Sequence, residues 1–273
     1  MKRLLTALVA LPILIASILI PQLWWLFVTL AAGAMVVGLW EFYQLAKRLK
    51  IKPDIVAGYI ASVAVFTVSL YNDVLFHLVV SQLVIIVLTG GVLTATALRG
   101  TEFDKMISSV GTTILGVLYV SFFGSYLVAV RMGFPQILSS HLLIFFFMVL
   151  MGGDAGAYYT GRSFGKRKLA PKISPGKTWE GVIGGIVAAL LMGTLAHYWF
   201  FRELPLKWTL PLAFVMTVVG ILGDLTESAL KRGAGAKDAA NILPGHGGIL
   251  DRLDSLLFNA PLIYYFARFY FNS

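Results

Sequence analysis

The chain of 273 residues contains no cysteine, which excludes a disulfide framework and thiolate chemistry. Charge is scarce, with Asp, Glu, Lys and Arg together at 13%. There are only four histidines, and His77, His141 and His197 stand apart with no carboxylate or second histidine at ligand spacing, so they read as structural or interfacial. No Gly-x4-Gly-Lys-Ser/Thr run occurs, so a soluble P-loop fold is not implied. An internal repeat, expected of many transporters, is also missing. What the chain has instead is apolar sequence: 58% hydrophobic residues and a mean hydropathy of +0.84. Its apolar runs are too long and too numerous for soluble core helices, which places the chain in a membrane.

Charges, prolines and glycines punctuate these runs into nine expected spans: residues 4–20, 22–46, 55–71, 74–98, 105–130, 137–160, 179–201, 208–230 and 249–270. Most approach the ~20 residues that a spanning helix needs. Pro21 reads as a tight turn between the first two. With the N-terminus in the cytoplasm, only Arg131, Arg202, Lys207 and Arg268 of the 22 Lys and Arg fall outside, leaving 18 inside. That bias predicts an all-α polytopic membrane protein, N-terminus cytoplasmic and C-terminus outside. It also accounts for the net charge of +9 without a nucleic-acid partner. The first span alternatively reads as a signal peptide, since Lys2-Arg3 precedes an apolar run, but no small-x-small cleavage site comes before Gln22.

The first half carries little readable chemistry. Glu41, near the inner end of the second span, reads as an ordinary interfacial carboxylate. Asp54 follows Pro53 and reads as the N-cap of the third span. Gly90-Gly91 and the Gly111/Gly116 pair are small-residue patches that let helices approach closely, and suggest a homodimer contact. We therefore divide one continuous membrane unit into a scaffold over residues 1–135 and a catalytic part over 136–273.

Chemistry begins at Gly152. Asp154 lies in an apolar helix with Tyr158 and Gly161 on its face, and an aspartate at that depth needs a cation, a lysine or water. The alternatives are a hydrogen bond within the bundle and a share in an active site. The loop that follows is strongly basic, with Lys166, Arg167 and Lys168. It ends in Ser174-Pro175-Gly176-Lys177-Thr178-Trp179-Glu180-Gly181, where Ser174 reads as the cap of a helix starting at Pro175. Lys177 would point from that helix start toward an anion.

The densest charge lies between Asp224 and Asp254, where five carboxylates, four Lys or Arg and His246 share one segment. Glu227, Ser228 and Lys231 follow Asp224 at i+3, i+4 and i+7, which puts a polar stripe on one face of a helix. After a loop through Lys237-Asp238, Gly245, Gly247 and Gly248 lead into a helix whose first turns carry Asp251 and Asp254 on one side. Carboxylates suit a cation and lysines an anion; together they suit a metal-bound phosphate. Glycines ahead of a helix let backbone N–H groups approach phosphate oxygens. The bland alternative is helix caps and juxtamembrane charges facing water.

The run from Ser228 through Lys231-Arg232, Lys237-Asp238 and Gly245-His246-Gly247-Gly248 to Asp251-Arg252-Leu253-Asp254 resembles the signature of the phosphatidate cytidylyltransferases, or CDP-diacylglycerol synthases. Ser174-Pro175-x-Lys177-Thr178-x-Glu180-Gly181 resembles a second block of that family. The resemblance implies transfer of a cytidylyl group from CTP to phosphatidate at a bacterial-type cytoplasmic membrane, with the site at the cytoplasmic end of the last five helices. It implies magnesium, alone or with a second cation, on Asp224, Asp251, Asp254 and, as an addition, Asp154. Lys237, Asp238 and His246 join these as catalytic candidates, His246 alternatively as a structural residue of the turn. Lys166, Lys177, Ser228, Lys231, Arg232, Gly247, Gly248 and Arg252 are the substrate-binding candidates. A CTP-dependent polyprenol kinase and an ion-coupled transporter remain as alternatives.

Overall fold

The computed structural model describes residues 2–71, 74–99, 103–240 and 247–271. Each of the nine expected spans coincides with helix: α1 (Lys2–Leu19), α2 (Trp24–Arg48), α3 (Ile55–Val68), α4 (Val74–Leu98), α5 and α6 (Phe103–Gly116 and Phe123–Gly133, joined by a π-helical turn, Val117–Phe122), α7 (Gln136–Phe164), α8 (Trp179–Trp199), α9 (Leu206–Gly233) and α10 (Leu250–Phe271). Among the described residues, six stretches are long and apolar enough to cross a membrane: Pro21–Arg48, Val79–Leu98, Asp104–Gly133, Gln136–Phe164, Trp179–Trp199 and Leu206–Gly233. Ala10–Leu19 and Ile55–Val68 are apolar but shorter. The 14 residues of α3 rise only about 21 Å, against a hydrocarbon core of ~30 Å.

The helix ends follow local chemistry. Pro21 opens a short 3-10 turn after an extended Ile20, as its fixed φ favours. Asp54 caps α3 as expected, its Oδ1 accepting the Ala57 N–H at 3.1 Å. Ser174 does not cap a helix. Residues Ser174–Thr178 form a strand, β2, paired antiparallel with β1 (Lys168–Ala170). The helix starts later, with Thr178 Oγ1 accepting the Gly181 N–H at 3.1 Å. An extended residue before a proline suits a helix cap as well as a strand, and the pairing with Lys168–Ala170 carries the strand through to Thr178.

Phe145, Phe146 and Val149 of α7 lie at the centre of the main core, packed with residues of α6, α8, α9 and α10. Glycines decide how closely α7 and α8 meet. A Cβ on Gly153 would touch Ala189 and the Gly185 carbonyl at 3.6 Å, and one on Gly156 would lie 2.8 Å from the Gly184 carbonyl oxygen. The small residues around Asp154 thus admit the backbone of α8. Gly223 does the same between α9 and α10, where a Cβ would sit 2.6 Å from the Asp254 carbonyl oxygen. In the first half, only Gly116 of the four glycines singled out lies at a close approach, against Tyr43 and Phe42; nothing lies within 4 Å of a Cβ built on Gly90, Gly91 or Gly111.

Candidate active site

The close α9–α10 contact brings the end of one acidic helix against the start of another. On α9 the stripe forms as its spacing predicts. Ser228 Oγ makes a long 3.4 Å contact to Asp224 Oδ1, and Lys231 Nζ lies 2.5 Å from Glu227 Oε2. Lys231 also reaches Asp251 Oδ1 on α10 at 2.6 Å. The side chains of Glu227, Asp251 and Lys231 are only 0%, 7% and 13% exposed, so this triad is a buried cross-link between the helices. Burial of Glu227 is tolerable because its cation is buried beside it.

The β1–β2 hairpin brings a further cation. Its end places Lys177 Nζ 2.5 Å from Asp224 Oδ2. The hairpin is held at its base by Glu180, which accepts the backbone N–H of Lys166 at 3.0 Å and of Arg167 at 3.2 Å. Arg232, at the end of α9, donates to the Ile173 carbonyl at 3.2 Å and so fastens the hairpin tip.

A cavity of about 520 Å³ opens among these elements. Its polar wall comprises Asp154, Asp224, Lys231, Asp238, Asp251, Arg252, Asp254 and Ser255, and its apolar wall Leu14, Phe147, Leu150, Met151 and Leu256. Of the sequence candidates, Asp154, Asp224, Lys231, Asp238, Asp251, Arg252 and Asp254 therefore converge. Lys177 and Ser228 are not among the lining residues but each contacts Asp224. Lys166, Arg232 and Lys237 are exposed outside it. His246 and Gly245 lie outside the described residues.

Two groups of site candidates make contacts of their own within the protein. Gly247 and Gly248 were expected to offer N–H groups to phosphate. Gly247 does take the left-handed backbone, φ +78°, which suits glycine. The amides beyond it are already taken: Gly248 N–H donates to Asp251 Oδ2 at 2.8 Å, Ile249 N–H to Glu41 Oε1 at 2.9 Å and Leu250 N–H to Glu41 Oε2 at 2.6 Å. Asp251, expected as a metal ligand, is equally engaged. Besides Lys231 and Gly248 it accepts the Ala239 N–H, at 3.2 Å on Oδ2, and thereby fastens the loop after α9. Here it acts as a clamp.

Glu41 is the residue that sequence reasoning passed over. It is 0% exposed and caps a helix starting 209 positions later. The only available signal was a carboxylate within an apolar helix.

Among the described residues, no three His, Asp or Glu side chains converge closely enough to form a ready-made metal cage. Asp154, Asp224 and Asp254 nevertheless share one wall and offer hard oxygen donors. Magnesium is commonly held by one or two carboxylates with the remaining positions filled by water and substrate phosphate. The donor set fits that kind of site and not a preformed three-carboxylate centre.

The family model described as "Cytidylyltransferase family" matches residues 1–270. The chain belongs to that family. Among its relatives is a phosphatidate cytidylyltransferase of Pseudomonas aeruginosa, 38% identical over 264 residues, which covers 96% of this chain and 94% of that protein. The phosphatidate cytidylyltransferase of Bacillus subtilis is 43% identical over 176 residues, 63% of each chain. That of Haemophilus influenzae is 46% identical over 134 residues, and the match covers 48% of this chain and 46% of that one. For these last two, the chain spans less than two thirds of the relative's length.

Proposed function

We propose that the protein transfers the cytidylyl group of CTP to phosphatidate, giving CDP-diacylglycerol and pyrophosphate. The observation that carries this reading, beside the names of the relatives, is the two-sided cavity: charged groups along one wall and Leu14, Phe147, Leu150, Met151 and Leu256 along the other. A membrane lipid with a phosphate headgroup has the matching division. Neither a polyprenol kinase nor a transporter is named among the relatives above.

In the reaction an oxygen of the lipid phosphate attacks the α-phosphorus of CTP. The bond from that phosphorus to the bridging oxygen breaks, and its electron pair leaves with pyrophosphate. The attacking oxygen is already anionic, so no side-chain base is needed. The obstacle is electrostatic. Two polyanions must meet in a cavity whose wall holds five carboxylates and two cations. Magnesium held by one or two of Asp154, Asp224 and Asp254, with water and phosphate in its other positions, would offset the phosphate charge when bound. Lys177, held at Asp224, is placed to turn its ammonium to a phosphate, and Arg252 to hold one with its guanidinium fork. Asp251 and Lys231 keep the two helix ends in register so that these groups stay aligned.

The finer topology belongs to the same proposal: nine spans, the N-terminus inside, the C-terminus outside, and the site facing the cytoplasm of a bacterial-type inner membrane. The bias of 18 inside to 4 outside among Lys and Arg supports it. Open surface at Gly90, Gly91 and Gly111 supports a homodimer contact, which crosslinking in native membranes tests; monomers alone would refute it.

The reading is tested by supplying the purified protein with CTP, magnesium and either phosphatidate or a polyprenol. CDP-diacylglycerol from the first mixture alone is the expected result. A phosphorylated polyprenol without CDP-diacylglycerol would overturn it.

A further inference from the structure

Glu41 stands on α2, in the half of the chain that contributes least to the cavity, and its side chain is fully buried. Among the described residues it has no lysine or arginine partner. Its two oxygens instead each accept one backbone N–H, from Ile249 and Leu250, at 2.9 and 2.6 Å. These amides, one just ahead of α10 and one on its first residue, have no partner within the helix, and the partial positive charge of the helix start favours a carboxylate there. A buried charge is costly unless its partners are fixed. Replacement by an apolar residue of similar size would fill the same space. The carboxylate is therefore explained by the amides it holds.

What it holds is the start of the acidic helix. Gly248, Ile249 and Leu250 give three consecutive N–H groups to two carboxylates, the first to Asp251 and the next two to Glu41. Asp251 then reaches Lys231 and Ala239 from that fixed position, and Asp254 follows on the same face, one turn into the helix. The contact also restricts the neighbouring residue. A Cβ on Gly248 would lie 2.6 and 2.7 Å from the two Glu41 carboxylate oxygens, closer than carbon and oxygen can pack, so the side chain would have to move. The glycine at 248 is thus matched to the glutamate at 41.

We propose that Glu41 is a positioning residue for the transfer reaction: acting across the bundle from α2, it sets the first turn of α10 and through it the placement of Asp251 and Asp254. This inference rests on the function proposed above.

The test uses the full chain in lipid-supplemented detergent, as parent, Glu41→Ala, Glu41→Gln, Gly248→Ala and the double variant Glu41→Ala/Gly248→Ala. Hydrogen exchange over the peptide that begins α10 is read alongside kcat and KM for CTP. The expected result for Glu41→Ala is faster exchange confined to that peptide and a fall in kcat of about 10- to 100-fold, the scale of a small misplacement of reacting groups, with a smaller change in KM. Glu41→Gln, which keeps one acceptor, should fall between Ala and the parent. Gly248→Ala should also lower kcat, but the double variant should be no worse than Glu41→Ala, since the clash has been removed.

Unchanged exchange at the α10 start in Glu41→Ala would overturn the inference, as would faster exchange with kcat intact or strictly additive losses in the double variant. Should Glu41→Ala fail to fold, Glu41→Gln and Gly248→Ala perturb the same contact and decide the question. A folded parent with no cytidylyl transfer at all would defeat the proposed function, and with it the reaction that Glu41 serves; the exchange data would then report only the capping contact.

Discussion

Lys177 and Asp224 stand 2.5 Å apart, one at the end of a hairpin strand and the other on a helix, and this ion pair fastens the basic loop to the acidic cavity. The Lys177 ammonium is buried against Asp224, while the Asp224 side chain keeps 38% exposure and lines the cavity. The buried Lys231–Asp251 pair, at 7–13% exposure, has less access. On the proposed reaction, the first pair would work on substrate and the second would hold the frame.

Lys177→Ala should therefore lower kcat/KM for CTP by about 100- to 1,000-fold, the range seen when one charge-stabilising donor is lost, with the thermal midpoint little changed. Initial rates and a melting curve of the same preparation check both halves. A rate within a few-fold of the parent would remove Lys177 from the site.

Loss of the buried cation should act on stability instead. Lys231→Met leaves Glu227 and Asp251 buried without their partner, and breaking such a cluster costs about 3–5 kcal/mol. The apparent unfolding midpoint in detergent should drop sharply. Adding Glu227→Gln removes one stranded charge and should restore part of the loss, whereas independent sites would give additive effects.

Close packing of α7 on α8 predicts a defect remote from any charge. Gly156→Ala would drive a methyl toward the Gly184 carbonyl and Ala188, and overpacking of this kind costs about 1–3 kcal/mol. A lowered midpoint is expected, with a reduced rate because Asp154 sits two residues away on the displaced helix. An unchanged midpoint would mean that the two helices part without penalty.

Much of this architecture was legible because polar residues are so sparse. Each charge or proline in an apolar run marks a boundary, and the helix Leu206–Gly233 encloses the span expected at 208–230. The stripe Asp224, Ser228, Lys231 was legible from spacing alone. What failed to show was long-range. Nothing near Glu41 indicates that its partners are amides 208 and 209 residues away, and nothing near Asp251 indicates that a lysine 20 residues earlier will occupy it. The hairpin was hidden for another reason: Ser174-Pro175 fits a helix start as well as a strand, and pairing with Lys168–Ala170 decides between them.

The excess of carboxylates over cations in the cavity wall makes a divalent-cation requirement the expected outcome. Chelation of divalent cations should abolish transfer, and magnesium should restore it. Asp254→Asn should raise the magnesium concentration needed for half-maximal rate, read from titrations at fixed CTP. An equal requirement in parent and variant would place the cation elsewhere.

The most direct measurement is the fate of the phosphates of CTP. The purified protein is given phosphatidate, magnesium and CTP labelled at either the α- or the γ-phosphate. Label from the α-position in the lipid product, with γ-label released as pyrophosphate, is the predicted result. Transfer of γ-label to lipid would instead identify a kinase and contradict cytidylyl transfer at this site.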